Sequence, residues 1–205
     1  LNITYRLDKM AFNSFVFNDS MIDMLSSDES KQQFFEKACK KDPDNPFVWQ
    51  HYSRMLARIK RFNAALGIID QAIRMDASRQ MLYHTKGYIL QNMAKDNSNI
   101  EIARRYFGQS ENVYNTALSM NARDAYCYQG IISLNLDWAR RVDISDAERA
   151  LSLAKAEESV EKGLVRANEK EPIWIESSRI DEYVGNMPNR ISALQHALEN
   201  APTSI

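Results

Sequence analysis

A large apolar residue stands three positions ahead of an alanine at Phe35 and Ala38, at Ile69 and Ala72, and at Leu194 and Ala197. In two of these places a tryptophan stands 23 residues ahead of the alanine, Trp49 before Ala72 and Trp174 before Ala197. Ala38 and Ala197 are each followed five positions later by a proline, Pro43 and Pro202. The recurrence constrains the fold because each residue type does something different there. A small residue lets two antiparallel helices approach, a large one fills the adjoining groove, and proline stops the helix. The stretch KKDPDNPFVWQHYSRML, residues 40 to 56, shows the joint between helices. An Asp-Pro-Asp-Asn-Pro turn runs straight into Phe47, Trp49 and Tyr52, so one helix ends and another folds back on it.

Composition agrees. Six Gly and five Pro in 205 residues suit long helices joined by short turns, and they argue against a sandwich, a barrel or a nucleotide-binding α/β domain. The expected fold class is therefore all-α. Lys and Arg number 26 against 27 Asp and Glu, so no global charge draws the chain to nucleic acid or to an anionic membrane. The doublets Arg104-Arg105 and Arg140-Arg141 read as solvated helix faces. Cys39 and Cys127, far apart among apolar or helix-forming residues, read as two buried free thiols, which suits a reducing cytoplasm. No apolar run approaches the roughly 18 residues of a membrane span, and the first residues lack a secretory layout. The sequons at Asn2 and Asn18 carry no weight in that context. A chain beginning at Leu1 reads as a piece of a longer protein.

The spacing resembles the tetratricopeptide repeat, a helix-turn-helix unit of about 34 residues with an aromatic and a small residue on its first helix and Ala, an aromatic, Ala and Pro through its second. The resemblance implies an α-α superhelix spanning 1–205 as one domain, with a divergent pair at 1–45 and repeats at about 46–79, 80–122, 123–170 and 171–204. The first full repeat carries Trp49, Tyr52 and Leu56, then Ala65, Ile69 and Ala72, with Ala77 in place of the final proline. The next opens with Tyr83, Gly87 and Leu90 and closes through Tyr114 and Ala117, with about 11 extra residues near 95–106. The third opens with Tyr126 and Gly130 and closes through Ala156, Val160 and Gly163, with about 14 extra near 139–150. At the N-terminus, Phe12 to Leu25 reads as a helix, and Ser26-Ser27-Asp28-Glu29 as the cap of a second helix running through Lys41. A non-repetitive helical bundle is the competing architecture.

Catalytic signatures are missing: there is no glycine-rich phosphate loop, nucleophile elbow, H-E-x-x-H or paired-cysteine zinc motif. His51, His84 and His196 lack a Cys, Asp or Glu partner at ligand spacing, so neither a metal nor another cofactor is expected. Asp181-Glu182 and Glu157-Glu158 are adjacent on helices, where neighbours diverge, and read as solvent contacts rather than an acid/base pair. Trp49, Tyr83, Tyr126 and Trp174 fall where the repeat needs core aromatics, which accounts for them before base stacking does. The chain is not expected to be an enzyme.

In such arrays the first helix of each pair lines a concave surface. Helical spacing places Gln50, Arg54 and Arg58 there in the first repeat, His84, Tyr88 and Gln91 in the second, Cys127, Ile131 and Leu134 in the third, and Arg179 and Glu182 in the last. Arginines at both ends and an apolar centre suit a protein or peptide partner better than a polyanion. Gln50 and Arg54 stand where the Lys-Asn carboxylate clamp of co-chaperone repeats would begin, which disfavours that role. The two insertions, near 95–107 and 137–150, form a second set of candidate contacts or simply elongate the flanking helices.

Residues 34–56, FFEKACKKDPDNPFVWQHYSRML, and 64–76, AALGIIDQAIRMD, look like the helical C-terminal regions of bacterial STAND-type signal-transducing NTPases, including those of antiphage defence. That resemblance implies a sensor for a target such as a phage protein, with oligomerisation carried by the rest of the longer protein. A cytoplasmic scaffold holding the subunits of a complex is the alternative.

Overall fold

The computed structural model describes residues 27–201, and all regular structure among them is helical. The elements are Asp28–Lys41 (α1), Pro46–Arg58 (α2), Phe62–Met75 (α3), Gln80–Asp96 (α4), Ile100–Met120 (α5), Ala125–Ala139 (α6), Asp146–Arg166 (α7), Glu171–Val184 (α8) and Met187–Asn200 (α9). The all-α expectation holds. The helix expected over Phe12 to Leu25, and Pro202, lie outside the described residues. The chain divides into two compact units between Thr85 and Lys86, within the sequence of α4.

Local chemistry sets the helix ends. Ser27 accepts from the Ser30 amide, as expected of the cap before α1, and Asn45 accepts from Phe47 with Pro46 opening α2. Asn99, Asp124 and Asn186 cap α5, α6 and α9, while Ser145 and Glu148 form a reciprocal capping box on α7. Gly185, with φ of 79°, ends α8 in the left-handed conformation that glycine adopts without a Cβ penalty.

In the first unit α2 packs closely on α3, and Ala65, Ile69 and Ala72 are fully buried along α3. Phe35 of α1 stacks on Tyr52 of α2 with centroids 5.6 Å apart. Cys39 is a buried free thiol on the same helix as Phe35 and Ala38, and Cys127 is another in the second unit.

The second unit has a core of Tyr128, Ile132 and Leu136 from α6, Ala156 and Val160 from α7, and Ile173 and Ile180 from α8. Tyr114 of α5 packs with Ile131 and Leu134, and its ring fits against two glycines. A Cβ on Gly87 would stand 2.7 Å from the ring, and one on Gly130 2.5 Å, so no larger residue fits at either place. Ile69, Tyr114 and Val160 are buried, but Leu194, assigned the same place in the last pair, is 41% exposed, and Ile191 and Leu198 on α9 are more exposed still. No described helix covers these three.

Hydrogen bonds to the preceding turn fix the register. Trp49 Nε1 donates to the Pro43 carbonyl at 2.9 Å, Tyr83 to Ala77 at 3.1 Å and Tyr128 to Ala122 at 3.2 Å, each six residues back from the fourth residue of a first helix. Tyr128, not Tyr126, is therefore the core aromatic of the third pair, and Tyr126 is 51% exposed. The expectation misplaced it by copying the four-residue gap between Tyr83 and Gly87 onto Gly130. The Asp124 cap starts α6 at Ala125 and moves the aromatic place two residues on.

The extra residues are built as longer helices. α5 and α7 have 21 residues each where α3 and α9 have 14, an added length of about 10 Å at 1.5 Å per residue. At these ends Ala103, Trp138 and Ile144 form a small core with Phe107, whose ring lies 4.7 Å from Trp138. Arg141, expected on a solvated face, instead donates to the Ala94 and Asn97 carbonyls at 3.0 and 3.1 Å, pairs with Asp143 and lies over Trp138. Arg104 bridges Glu101 and Glu148, which joins α5 to α7.

Candidate interaction face

In the first unit Arg54 and Arg58 are exposed on α2, and His84 is half-buried at the start of α4. Gln50 differs from expectation. It is 3% exposed and donates to Thr85 Oγ1 at 2.8 Å, so it joins α2 to α4 as a buried polar residue and offers no exposed surface. At the other end of α2, Arg79 lies 4.5 Å above the Phe47 ring beside an open pocket of about 640 Å³ that Asp42, Asp44 and His51 also line.

In the second unit the first helices of successive pairs are joined along one side by polar side chains. Gln91 of α4 donates to Ser133 Oγ at 3.1 Å and to Asp137 Oδ2 at 3.0 Å on α6, and Lys95 reaches Asp137 Oδ1 at 3.3 Å. The carbonyl end of the Gln91 amide accepts from the Tyr114 hydroxyl at 3.1 Å, so both ends of that amide are used. Burial pushes the Tyr114 phenol well above its usual range and keeps it a donor.

A second set of polar bonds joins α6 to α8, which packs beside it. Gln129 donates to Glu176 at 3.4 Å, and one Arg179 nitrogen bonds both Glu176 oxygens at 2.9 and 2.7 Å. Glu176 is buried, and burial raises its carboxyl above the usual range despite the opposing pull of Arg179. Glu182 pairs with Arg190 of α9 at 3.1 Å. Tyr88 is half-buried on α4.

The structure brings Gln91, Arg179 and Glu182 into polar networks, but it removes Cys127, Ile131 and Leu134 from the surface. All three are buried, with Leu134 at 1% exposure against Tyr114. The α6 residues beside Gln91 and Glu176 are Ser133, Asp137 and Gln129, and Tyr126 shares their helical spacing. Asp137 opens the candidate segment 137–150, whereas Gln129, Ser133 and Tyr126 lie outside both candidate sets, because the Asp124 cap and not the Gly130 spacing sets the phase of α6. Tyr126 is a large apolar group exposed on α6, and Ile175 and Val184 are exposed on α8.

Among the described residues no three His, Cys, Asp or Glu side chains gather as a metal would require, and no helix is long and apolar enough to cross a membrane. The arrangement has amides, carboxylates and hydroxyls bonded to one another, without a nucleophile held against a base. Chemically it can present a rigid mixed surface.

No family model and no curated protein matches this chain. Solved structures do. TTC0263, a thermophilic TPR protein of Thermus thermophilus, superposes with a TM-score of 0.68 at 19% identity over 86% of this chain and 84% of its own. MamA 41-end from Desulfovibrio magneticus RS-1 does so with a TM-score of 0.54 at 13% identity, over 97% and 90%. A further crystal structure of MamA gives 0.53 at 16%, over 98% and 95%. At such identities the likeness establishes a TPR-like helical-repeat fold.

Proposed function

We propose that the chain is a protein-interaction module without catalysis of its own, and that the α4–α6–α8 side of the second unit takes a protein or peptide. The observation that carries this reading is two sets of side-chain bonds that share α6, one from Lys95 and Gln91 to Asp137 and Ser133, the other from Gln129 through Glu176 to Arg179. They immobilise rotamer-rich side chains before any partner arrives, which lowers the entropy lost on binding, and they surround them with Tyr126 and Ile175, residue types that anchor interfaces. Tyr88, Arg179 and Glu182 are contacts in this unit, and Arg54, Arg58 and His84 are contacts in the first.

The finer reading is that this is the sensing region of a STAND-type NTPase that recognises a phage protein, supported by the likeness of residues 34–56 and 64–76 to such regions. The buried thiols Cys39 and Cys127 suit a cytoplasmic protein. A scaffold for a resident complex is the second reading, favoured by the fold alone. Immobilised chain is exposed to lysates from uninfected and phage-infected bacteria, with Tyr126→Ala and Arg179→Ala variants alongside. One phage protein captured by the parent and lost by the variants supports the sensor. The same host protein in both lysates, lost by the variants, supports the scaffold. Capture that ignores both variants refutes the proposed face.

A further inference from the structure

Ile69 on α3, Tyr114 on α5 and Val160 on α7 are covered, whereas on α9 the corresponding Leu194 belongs to a stripe of exposed apolar side chains. Met187, Ile191, Leu194 and Leu198 follow one another at intervals of four, three and four residues, and all four are exposed, Leu198 by 78%. That spacing is the a and d seam of a coiled coil, which keeps to one line along a helix. Ala193 and Ala197 are buried and lie off the stripe, on the part of α9 that packs on α8, so the stripe is not the face that α9 uses within its own pair. Apolar surface gathered in this way gains free energy when another surface covers it.

The order of the four residues selects the cover. When a second α9 lies antiparallel across the first, with a two-fold axis between Ser192 and Ala193, Ile191 stands opposite Leu194 of the other copy and Met187 opposite Leu198. Every a position then meets a d position, and no member of the stripe is left over. A closed two-fold contact needs this self-complementarity, in which one residue meets a second and the second meets the first. A parallel pairing would set the two helix dipoles side by side in the same sense, whereas the antiparallel one opposes them.

Charge agrees. Arg190, which borders the stripe, is already paired with Glu182 at 3.1 Å, so each copy brings a balanced pair to the contact. Glu199 of one copy falls about 20 Å from Glu199 of the other along the helices, at 1.5 Å per residue, so the two do not repel. A strongly acidic or basic partner would find no surplus of opposite charge along this border, and a second copy needs none.

We propose that two copies of the chain associate through α9, antiparallel, with Ile191 and Leu194 at the centre of the contact. The contact is made by α9 and does not depend on the α4–α6–α8 side.

The first arm of the test is sedimentation velocity of the 205-residue chain at concentrations from about 1 to about 500 μM. The 14 residues of α9 supply two heptads, at the small end of interface size, so the expected dissociation constant is about 100 μM. Leu198→Glu keeps a folded circular-dichroism spectrum, because the position is exposed, and raises that constant at least about tenfold. The second arm reads the geometry. Chains carrying Met187→Cys, mixed with chains carrying Leu198→Cys and incubated with oxidised glutathione, form a disulfide-linked dimer. Neither variant does so alone, because its two sulfurs lie about 16 Å apart along the seam. Cys39 and Cys127 are buried and do not compete. The cross-linking arm decides should Leu198→Glu not fold. A monomer throughout the concentration range overturns the proposal and leaves the stripe to a different protein. A dimer that Leu198→Glu does not weaken overturns it by placing the contact elsewhere. Cross-linking of either variant with itself, as fast as in the mixture, overturns the antiparallel pairing.

Discussion

The ring of Tyr114 occupies the space that a side chain on Gly130 would need, since a Cβ there would stand 2.5 Å from Cε1. Interiors packed to crystal density do not absorb such an overlap without displacing a ring or a helix. Gly130→Ala is therefore expected to lower stability by about 1–3 kcal/mol from overpacking, even though alanine is favoured over glycine in a helix by roughly 1 kcal/mol. Gly67 on α3 is the control, because a Cβ there meets nothing within 4 Å. Gly67→Ala should raise stability by about 0.5–1 kcal/mol. Urea unfolding followed by circular dichroism separates the two, and Gly130→Ala matching Gly67→Ala would remove the account of Tyr114 as a wedge.

The same ring shows what the sequence conveyed and what it did not. Gly87, Gly130, Tyr114 and Ala117 were readable as packing positions because each depends on helical spacing and size, which survive in one dimension. The placement of Tyr126, Ile131 and Leu134 depended on the phase of α6, and a shift of two residues turns a helix by about 200° and exchanges core for surface. Asp124 holds that phase through its bond to the Cys127 amide, a signal as local as the Gly spacing. Arg141 and Gln50 were misread for a different reason. Their partners Ala94 and Thr85 lie 47 and 35 residues away, and no local pattern announces a long-range hydrogen bond.

Glu176 gives the fold a pH dependence of known sign. Burial is the largest influence on its carboxyl and raises its folded pKa above the unfolded value of about 4.3. Between those two values the folded state holds a proton that the unfolded state has released, so its contribution to stability falls as pH rises through the window. Glu176→Gln removes the titration while keeping the shape and an acceptor for Gln129. The difference in melting temperature, variant minus parent, should grow more positive from pH 4 to pH 7.5. A difference that is flat, or that shrinks with pH, would mean that the pairing with Arg179 outweighs burial.

Cys39 should be inert in the folded protein. Burial, then the nearby Glu36, push its thiol up to about 12, so at pH 8 roughly one molecule in ten thousand carries the reactive thiolate. Cys127 is fully buried on α6. A chromogenic disulfide reagent at pH 8 should find neither thiol on the timescale of minutes and both in guanidinium chloride. Fast labelling of Cys39 in native buffer would show that α1 opens locally well below the global unfolding free energy.

Arg141 holds the elongated helix ends together. Its guanidinium bonds the carbonyls of Ala94 and Asn97, at the end of α4 and in the turn that follows, while lying over Trp138 and pairing with Asp143. The side chain is only 12% exposed, so these bonds are shielded from water, unlike those of an ordinary surface arginine. Truncation leaves two carbonyls short of a donor and one face of Trp138 uncovered. Arg141→Ala should cost about 1–3 kcal/mol, the range for losing charge-assisted bonds at a sheltered site. Hydrogen exchange should rise first at residues 94 to 103, which the side chain pins, and much less at Val160 and Ile173 in the separate core of α6, α7 and α8. Arg141→Lys distinguishes charge from shape: an ammonium cannot span both carbonyls and cover the indole, so lysine should recover less than half of the loss. Exchange that rises evenly through the second unit would place Arg141 in the global core instead of at a local clasp.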